Sequence, residues 1–135
     1  MLDTALKISA LLTTAFLFGG MLLFAGSFAA FLFKVMPIAD ARILIRKAFP
    51  FFYLYVIAAS TTAALLTAQQ DMLSSAVLAV IALTTIPTRQ ILMPAINKAT
   101  DSDDWVRFMG LHGLSVVVTL AHIVASAVVL VRLSN

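Results

Sequence analysis

The chain contains no cysteine and few charged residues: Asp, Glu, Lys and Arg together make up 11% of its 135 residues. Without cysteine, disulfides, thiol nucleophiles and zinc sites built from thiolates are all excluded. A soluble domain is about a quarter charged and about half apolar. Here 62% of the residues are hydrophobic and the mean hydropathy is +1.07. These proportions predict one integral membrane domain that covers residues 1–135.

Acidic side chains are absent from the long apolar runs. The six that exist lie outside those runs: Asp3, Asp40, Asp71, Asp101, Asp103 and Asp104. A small oligomeric transporter therefore remains an alternative only if histidine replaces the embedded carboxylate on which small proton-coupled exporters rely. No Ser-His-Asp arrangement, Gly-rich phosphate loop or paired carboxylate is present. We therefore predict no catalytic residues and a non-enzymatic protein.

Four apolar segments are each long enough to cross a bilayer, which takes about 20 helical residues. They predict an all-α, four-transmembrane-helix bundle with up-down-up-down topology. The predicted helices cover about residues 8–35, 49–69, 72–94 and 105–132. Pro50 falls in the first turn of the second helix, where its missing N–H costs little. Pro87, near the end of the third apolar run, is expected to kink or thin that helix.

The basic residues are divided unequally between the two sides of the predicted bundle. Seven of the nine belong to the two loops 36–48 and 95–104 or to the adjoining helix ends, and two lie near the termini. Because cytoplasmic loops carry excess Lys and Arg, these loops are predicted to be cytoplasmic and both termini non-cytoplasmic. In a bacterium this places the chain in the inner (plasma) membrane. Segment 40–49, "DARILIRKAF", is either an amphipathic surface helix or an ordinary loop.

The charge of the chain has a further bearing on its partners. A sequence pI near 9.7 is typical of nucleic-acid-binding proteins, but here the basic residues flank apolar segments as membrane topology requires. No nucleic-acid partner is predicted. The lipid bilayer is the expected environment. Small residues spaced four apart, such as Ala15 and Gly19 or Gly26 and Ala30, permit close helix packing. They indicate a tight bundle, a homo-oligomer, or membership of a larger membrane complex.

The fourth apolar segment contains an unusual polar pattern, "LHGLSVVVTLAHIVAS" at residues 111–126. At about 100° per residue, its five polar side chains fall within roughly 80° of one helix face. They are His112, Ser115, Thr119, His122 and Ser126. We predict that this stripe, including Thr119, His122 and Ser126, faces the interior of the bundle. Hydroxyls elsewhere offer hydrogen-bond partners: Thr13, Thr14, Ser60, Thr61, Thr84 and Thr85.

Two interpretations of the stripe remain open. One is hydrogen bonding between helices, and the other is a cofactor or proton path built on His112 or His122. The two histidines lie about 15 Å apart along one helix, and the chain has no third histidine. Haem would therefore be held by one histidine, with or without a methionine. No cofactor and no metal site are predicted, and haem stays an alternative.

Three stretches, taken together, resemble a known family. They are "KAFPFFYLYV", "TRQILMPAIN" and "FMGLHGLSVVVTL", and they resemble the transmembrane protein 205-like family of small membrane proteins. The matching residues are Phe49, Pro50, Phe52, Arg89, Pro94, His112, Gly113 and Ser115. Thr119 stands where that family has Asn, and His122 matches nothing in the pattern. The resemblance implies a four-helix membrane fold and no established reaction.

The matched residues are expected to meet in one layer at the cytoplasmic ends of the helices. Arg89, His112, Ser115 and Tyr53 are predicted to form a polar cluster or shallow ligand pocket there. The alternative is a structural clamp that holds the helix ends together. The function predicted from the sequence is that of an accessory or small-molecule-handling membrane protein.

Overall fold

The computed structural model describes the backbone of residues 1–135 and the side chains of all residues except Leu2. The described part of the chain is all-helical. Six α-helices follow one another: α1 (Leu2–Leu23), α2 (Ala29–Val35), α3 (Ile38–Thr67), α4 (Met72–Pro87), α5 (Met93–Asp101) and α6 (Trp105–Ser134). A π-helical turn at Phe24–Phe28 joins α1 to α2, and a second one at Thr88–Leu92 joins α4 to α5.

Each π-helical turn is continuous with the α-helices on either side of it, so the six α-helices form four long helices. These cover Asp3–Val35, Ile38–Thr67, Met72–Asp101 and Trp105–Ser134. Their lengths are 33, 30, 30 and 30 residues, and each is apolar enough to cross a membrane. The second π-helical turn directly follows Pro87, the residue at which the sequence predicts a distortion. Proline has no N–H to donate to the carbonyl four residues earlier, and its ring clashes with that carbonyl, so the helix is distorted there.

The ends of the helices differ from the boundaries expected from sequence. α3 begins at Ile38, not near residue 49, so the expected loop 36–48 shrinks to the two residues before it. Segment 40–49 is thus neither a loop nor a separate surface helix, because it is continuous with the second long helix. Pro50 lies inside α3, where it removes one backbone hydrogen-bond donor. The helix remains continuous because the other backbone hydrogen bonds are kept.

The connection expected at residues 95–104 is also shorter, since α5 continues to Asp101. The turn that remains passes through Asp103, whose φ of 53° is left-handed, a conformation that Asp tolerates better than most residues. Asp104 then caps α6, because its carboxylate accepts a hydrogen bond from the Arg107 amide at 3.1 Å. Side-chain oxygens at this position satisfy amides that the first helical turn leaves free.

The four long helices form a closed ring. Each packs against its neighbours in the chain. The ring closes because α6, the fourth long helix, also packs against α1 in the first. The centre is filled by fully buried side chains such as Leu17, Met21, Leu78 and Ile81. The backbones of α3 and α4 approach each other closely, since the Ser75 hydroxyl of α4 donates to the Ala64 carbonyl of α3 at 2.8 Å. Small residues such as Ala64 permit such approach in membrane bundles.

Ionic contacts join the ends of neighbouring helices. Arg132 near the end of α6 lies 2.9 Å from the Asp71 carboxylate at the start of α4. Arg46, in α3, lies 2.8 Å from the Asp101 carboxylate at the end of α5 and also donates to the Asn97 carbonyl. The apolar middle of the bundle is therefore bounded by charged contacts at the helix ends.

The outer surface of the bundle is apolar on every side. Phe16, Leu54, Leu83 and Val124, one from each long helix, are exposed by 53% or more. Water-soluble bundles place polar residues at such positions. This surface, together with the four long apolar helices, indicates a multi-pass membrane protein.

One close approach between α1 and α3 depends on a glycine. The hydroxyl of Tyr55 donates a hydrogen bond to the Phe16 carbonyl, and the two rings meet edge to face with centroids 5.1 Å apart. A Cβ on Gly20 would lie 2.6 Å from Cζ of Tyr55. Gly19, the preceding residue, has open space at the corresponding position.

Candidate functional site

Arg89 links the third long helix to the second. It lies in the second π-helical turn, and its Nε donates to the carbonyl of Pro50 at 3.3 Å. The side chain is half-buried. This contact fastens the distorted segment after Pro87 to α3, which is the type of contact that the clamp interpretation requires of Arg89.

His112 lies on the outer face of α6. Its ring is exposed and stacks on Phe108 with centroids 5.3 Å apart and planes 6° from parallel. Phe108 in turn stacks on Trp105, so the three rings form an aromatic row along the first turns of α6. Ser115 is buried, and its hydroxyl donates to the His112 carbonyl at 3.1 Å.

Tyr53 belongs to the interior. It is 4% exposed and packs with Phe49 and Phe52, while Phe52 stacks on Phe24 of the first long helix at 4.3 Å. The four residues of the predicted cluster thus have different side-chain neighbours. A common pocket formed by Arg89, His112, Ser115 and Tyr53 stays a prediction.

The polar stripe of α6 varies in burial along its length. Ser115 and Ser126 are buried, Thr119 and His122 are half-buried, and His112 is exposed. Thr119 donates to the Ser115 carbonyl at 2.9 Å and Ser126 to the Ile123 carbonyl at 2.9 Å. Such local bonds satisfy hydroxyls within their own helix, so these two protons do not join α6 to its neighbours.

Most of the hydroxyls expected to be partners on other helices behave in the same way. Thr14 donates to the Ala10 carbonyl at 2.8 Å, Ser60 to the Val56 carbonyl at 2.6 Å, and Thr85 to the Ile81 carbonyl at 2.7 Å. Thr84 is different, since its Oγ1 also lies 2.8 Å from Nε2 of His122. This contact joins α4 directly to the polar stripe of α6.

The hydrogen bonds of Thr84 determine which nitrogen of His122 carries the proton. Oγ1 of Thr84 lies 2.6 Å from the Val80 carbonyl oxygen, a separation at which a proton must lie between the two oxygens. A hydroxyl has one proton, so Thr84 accepts rather than donates in its contact with His122. Nε2 is therefore the donor, and in a neutral ring Nδ1 is then the acceptor.

A small cavity lies on the inner side of this pair. The space open to the centre of a water molecule is about 10 Å³, close to the roughly 10–15 Å³ that one water needs by this measure. Its lining combines apolar side chains with hydroxyls from three helices and the His122 ring. The lining residues are Met21, Phe52, Tyr53, Val56, Thr85, Thr88, Val118, Thr119 and His122.

A larger groove lies between α4 and α6, and we call it the α4–α6 groove. Its volume is about 470 Å³. Seven of its nine lining residues are apolar, and the two polar ones are Thr84 and His122. The lining residues are Ala76, Val77, Val80, Ile81, Thr84, Val118, Ala121, His122 and Ala125. His122 thus lines both the small inner cavity and the α4–α6 groove.

Among the side chains that the structure describes, no three His, Asp or Glu residues come close enough together to hold a metal ion.

Residues 12–104 match the family model described as Domain of unknown function (DUF4149). This is more than half of the chain. The chain belongs to the DUF4149 family. The DUF4149 match begins within α1 and ends at Asp104, the cap of α6, so it includes Tyr53, Thr84 and Arg89 while both histidines lie beyond it. No curated protein and no solved structure matches the chain.

The pairing of Thr84 with His122 was only partly accessible to sequence reasoning. Helical spacing places His122 in the stripe, and Thr84 is one of six hydroxyls expected as partners. Nothing in the spacing distinguishes it from Thr85, its neighbour in sequence. The choice depends on how α4 is rotated about its axis, which the packing of the whole bundle determines.

Proposed function

We propose that this DUF4149 protein is a non-enzymatic membrane protein that binds a lipophilic small molecule in the α4–α6 groove. The observation that carries this proposal is the hydrogen-bonded pair of Thr84 and His122 in a groove that is otherwise apolar. Small-molecule sites combine mostly apolar walls with a few placed polar groups, and their volumes are about 300–1,000 Å³. The groove has both properties.

The position of the polar pair supports the same function. Ionisable side chains within membrane helices face the bundle interior or a water-filled cavity, and histidine at such a position is a candidate functional residue by default. Ser126 and Thr85 are fully buried. His122 is half-buried and lines a groove from which a molecule dissolved in the bilayer can reach it.

The proposal includes an arrangement in the membrane. The four long helices cross the bilayer in up-down-up-down order, with both termini on the non-cytoplasmic side. The distribution of Lys and Arg supports this orientation. Ionic contacts that pair the start of one long helix with the end of the next support the up-down-up-down order. We also propose a relationship to the transmembrane protein 205-like family, supported by the ordered matches at Pro50, Arg89 and His112.

The orientation can be tested directly because the native chain has no cysteine. Asp3→Cys and Asp40→Cys place single thiols at exposed positions on opposite sides of the proposed topology. In intact cells a membrane-impermeant maleimide should label the first variant and spare the second until the membrane is permeabilised. Labelling of Asp40→Cys alone in intact cells would refute the proposed orientation.

Ligand binding is tested by photolabelling in lipid nanodiscs with a long-chain alcohol that carries a diazirine. Cross-links located by mass spectrometry should concentrate on residues of the α4–α6 groove. Ala121→Phe fills the groove and should abolish them, because Ala121 lines it. Ala58→Phe makes the same change at an exposed position of α3 and should leave them intact. Cross-links spread over all four helices and unaffected by Ala121→Phe would refute the proposal.

A further inference from the structure

The hydrogen bonds inside the α4–α6 groove restrict the kind of molecule it can hold. We propose that the groove is selective for lipophilic hydrogen-bond donors, such as long-chain alcohols and phenols, over ethers and ketones of similar size. This inference rests on the proposed function and adds the chemical class of the ligand. It follows from which donor and acceptor atoms of Thr84 and His122 already form hydrogen bonds within the protein.

Both donors of the pair are used within the protein. The hydroxyl proton of Thr84 is held by the Val80 carbonyl at 2.6 Å, and the Nε2 proton of His122 is held by Thr84 Oγ1 at 2.8 Å. A ligand that only accepts hydrogen bonds would have to displace one of these bonds. The ligand would then gain one hydrogen bond while the protein loses one, so the exchange brings no net gain in hydrogen bonding.

Acceptor capacity, by contrast, remains on both residues. A hydroxyl oxygen has two lone pairs, and Thr84 uses one of them to accept from His122. The Nδ1 atom of the neutral His122 ring carries a lone pair as well. A ligand hydroxyl can donate to Oγ1 of Thr84, which lines the groove, without breaking a bond that the protein already makes.

The apolar walls determine the rest of the ligand. Val77, Val80 and Val118 line the groove beside the polar pair and offer no polar partner. A ligand with one hydroxyl at the end of a hydrocarbon chain matches this lining. A ligand with several polar groups would leave most of them without partners.

The test is competition against the photoactivatable alcohol by three unlabelled probes: 1-dodecanol, its methyl ether and 2-tridecanone. Concentrations are compared after correction for partition into the nanodisc. We expect the alcohol to compete about five-fold better than the ether or the ketone. That ratio corresponds to about 1 kcal/mol at 1.4 kcal/mol per tenfold change, the size of one neutral hydrogen bond.

Two variants of Thr84 provide a sharper comparison. Thr84→Ser retains the hydroxyl and should retain the preference for the alcohol. Thr84→Val removes the acceptor of the His122 proton, so the ring then carries a donor without a partner. The preference should move toward the ketone in this variant, although its apolar walls are unchanged. A variant that had merely lost stability would bind all three probes more weakly by the same factor, and the preference among them would not change.

The outcomes separate the inference from the proposed function. Equal competition by the three probes, with cross-links still confined to the groove, would overturn donor selectivity and leave the binding function standing. A better competition by the ketone in the unaltered protein would overturn the assignment of the Nε2 proton and the inference with it. Failure of every probe to compete for groove labelling would overturn the proposed function itself.

Discussion

Replacement of Gly20 by alanine tests how closely the first and second long helices pack. The added Cβ would lie 2.6 Å from Cζ and 2.8 Å from Cε1 of Tyr55, distances that require the ring to move. Moving it breaks the hydrogen bond from Tyr55 to the Phe16 carbonyl, worth about 1 kcal/mol. It also disturbs the edge-to-face contact of the two rings, worth about 0.5–1.5 kcal/mol.

The matched control is Gly19→Ala, where nothing lies within 4 Å of the added carbon. Both variants gain the same helix propensity from the exchange of glycine for alanine, so that contribution cancels in their comparison. We expect Gly20→Ala to be less stable than Gly19→Ala by about 2 kcal/mol, the sum of the two lost contacts. The free energy of unfolding is measured by circular dichroism during titration of mixed micelles with dodecyl sulfate.

A double-mutant cycle identifies the cause. In a Tyr55→Ala background the added carbon meets no ring, so the cost of Gly20→Ala should fall close to that of Gly19→Ala. Equal stability of the two alanine variants in the native background would show that α1 and α3 do not approach each other in this way. A cost that persists without the Tyr55 ring would show that the backbone, not this side chain, is responsible.

Two further predictions concern the charged contacts. Hydrogen bonds from the Ser74 hydroxyl and amide, helped by Arg132, lower the pKa of Asp71 from 3.8 to about 2. A carboxyl group with a lowered pKa stabilises the fold above its unfolded pKa and loses that effect as the pH falls toward 2. The difference in unfolding free energy between the native protein and Asp71→Asn, measured in detergent, should therefore shrink as the pH falls from about 5 to 2. A difference that stays constant over this range would contradict the lowered pKa. Arg89→Ala should cost about 1 kcal/mol of unfolding free energy through loss of the contact with the Pro50 carbonyl, whereas His112→Ala, at an exposed position, should cost less than half as much. Equal losses in the two variants would contradict the separate surroundings described for them.

The all-helical fold with four long apolar helices was predictable because each segment carries its own signal. A run from Ile8 to Phe33 without charge predicts a membrane-spanning helix whatever the other segments do. The boundaries were less accessible. Polar and charged residues from Asp40 to Lys47 are typical of a connection, yet they extend α3, because helical hydrogen bonds once begun propagate more readily than they start.

The sequence predicts which residues of α6 share one face, but it does not predict which residues of other helices they contact. Helical spacing places Thr119, His122 and Ser126 on one face of α6, since that spacing is local. Which partner each polar group meets depends on the rotation of neighbouring helices. Thr119 and Ser126 bond within α6, and only the packing of α4 against α6 brings Thr84 to His122.

The π-helical turn at Thr88–Leu92 has a consequence for any comparison or redesign of the third long helix. Such a turn holds one residue more than an α-helical turn would, so the segment that follows is rotated by roughly 100° relative to an uninterrupted helix. A helical-wheel projection drawn straight through residues 72–101 would therefore assign the residues of α5 to the wrong side. Deleting a single residue within 88–92 would remove the extra residue and restore a regular α-helix, so Ala99, now buried, would stay on its present side.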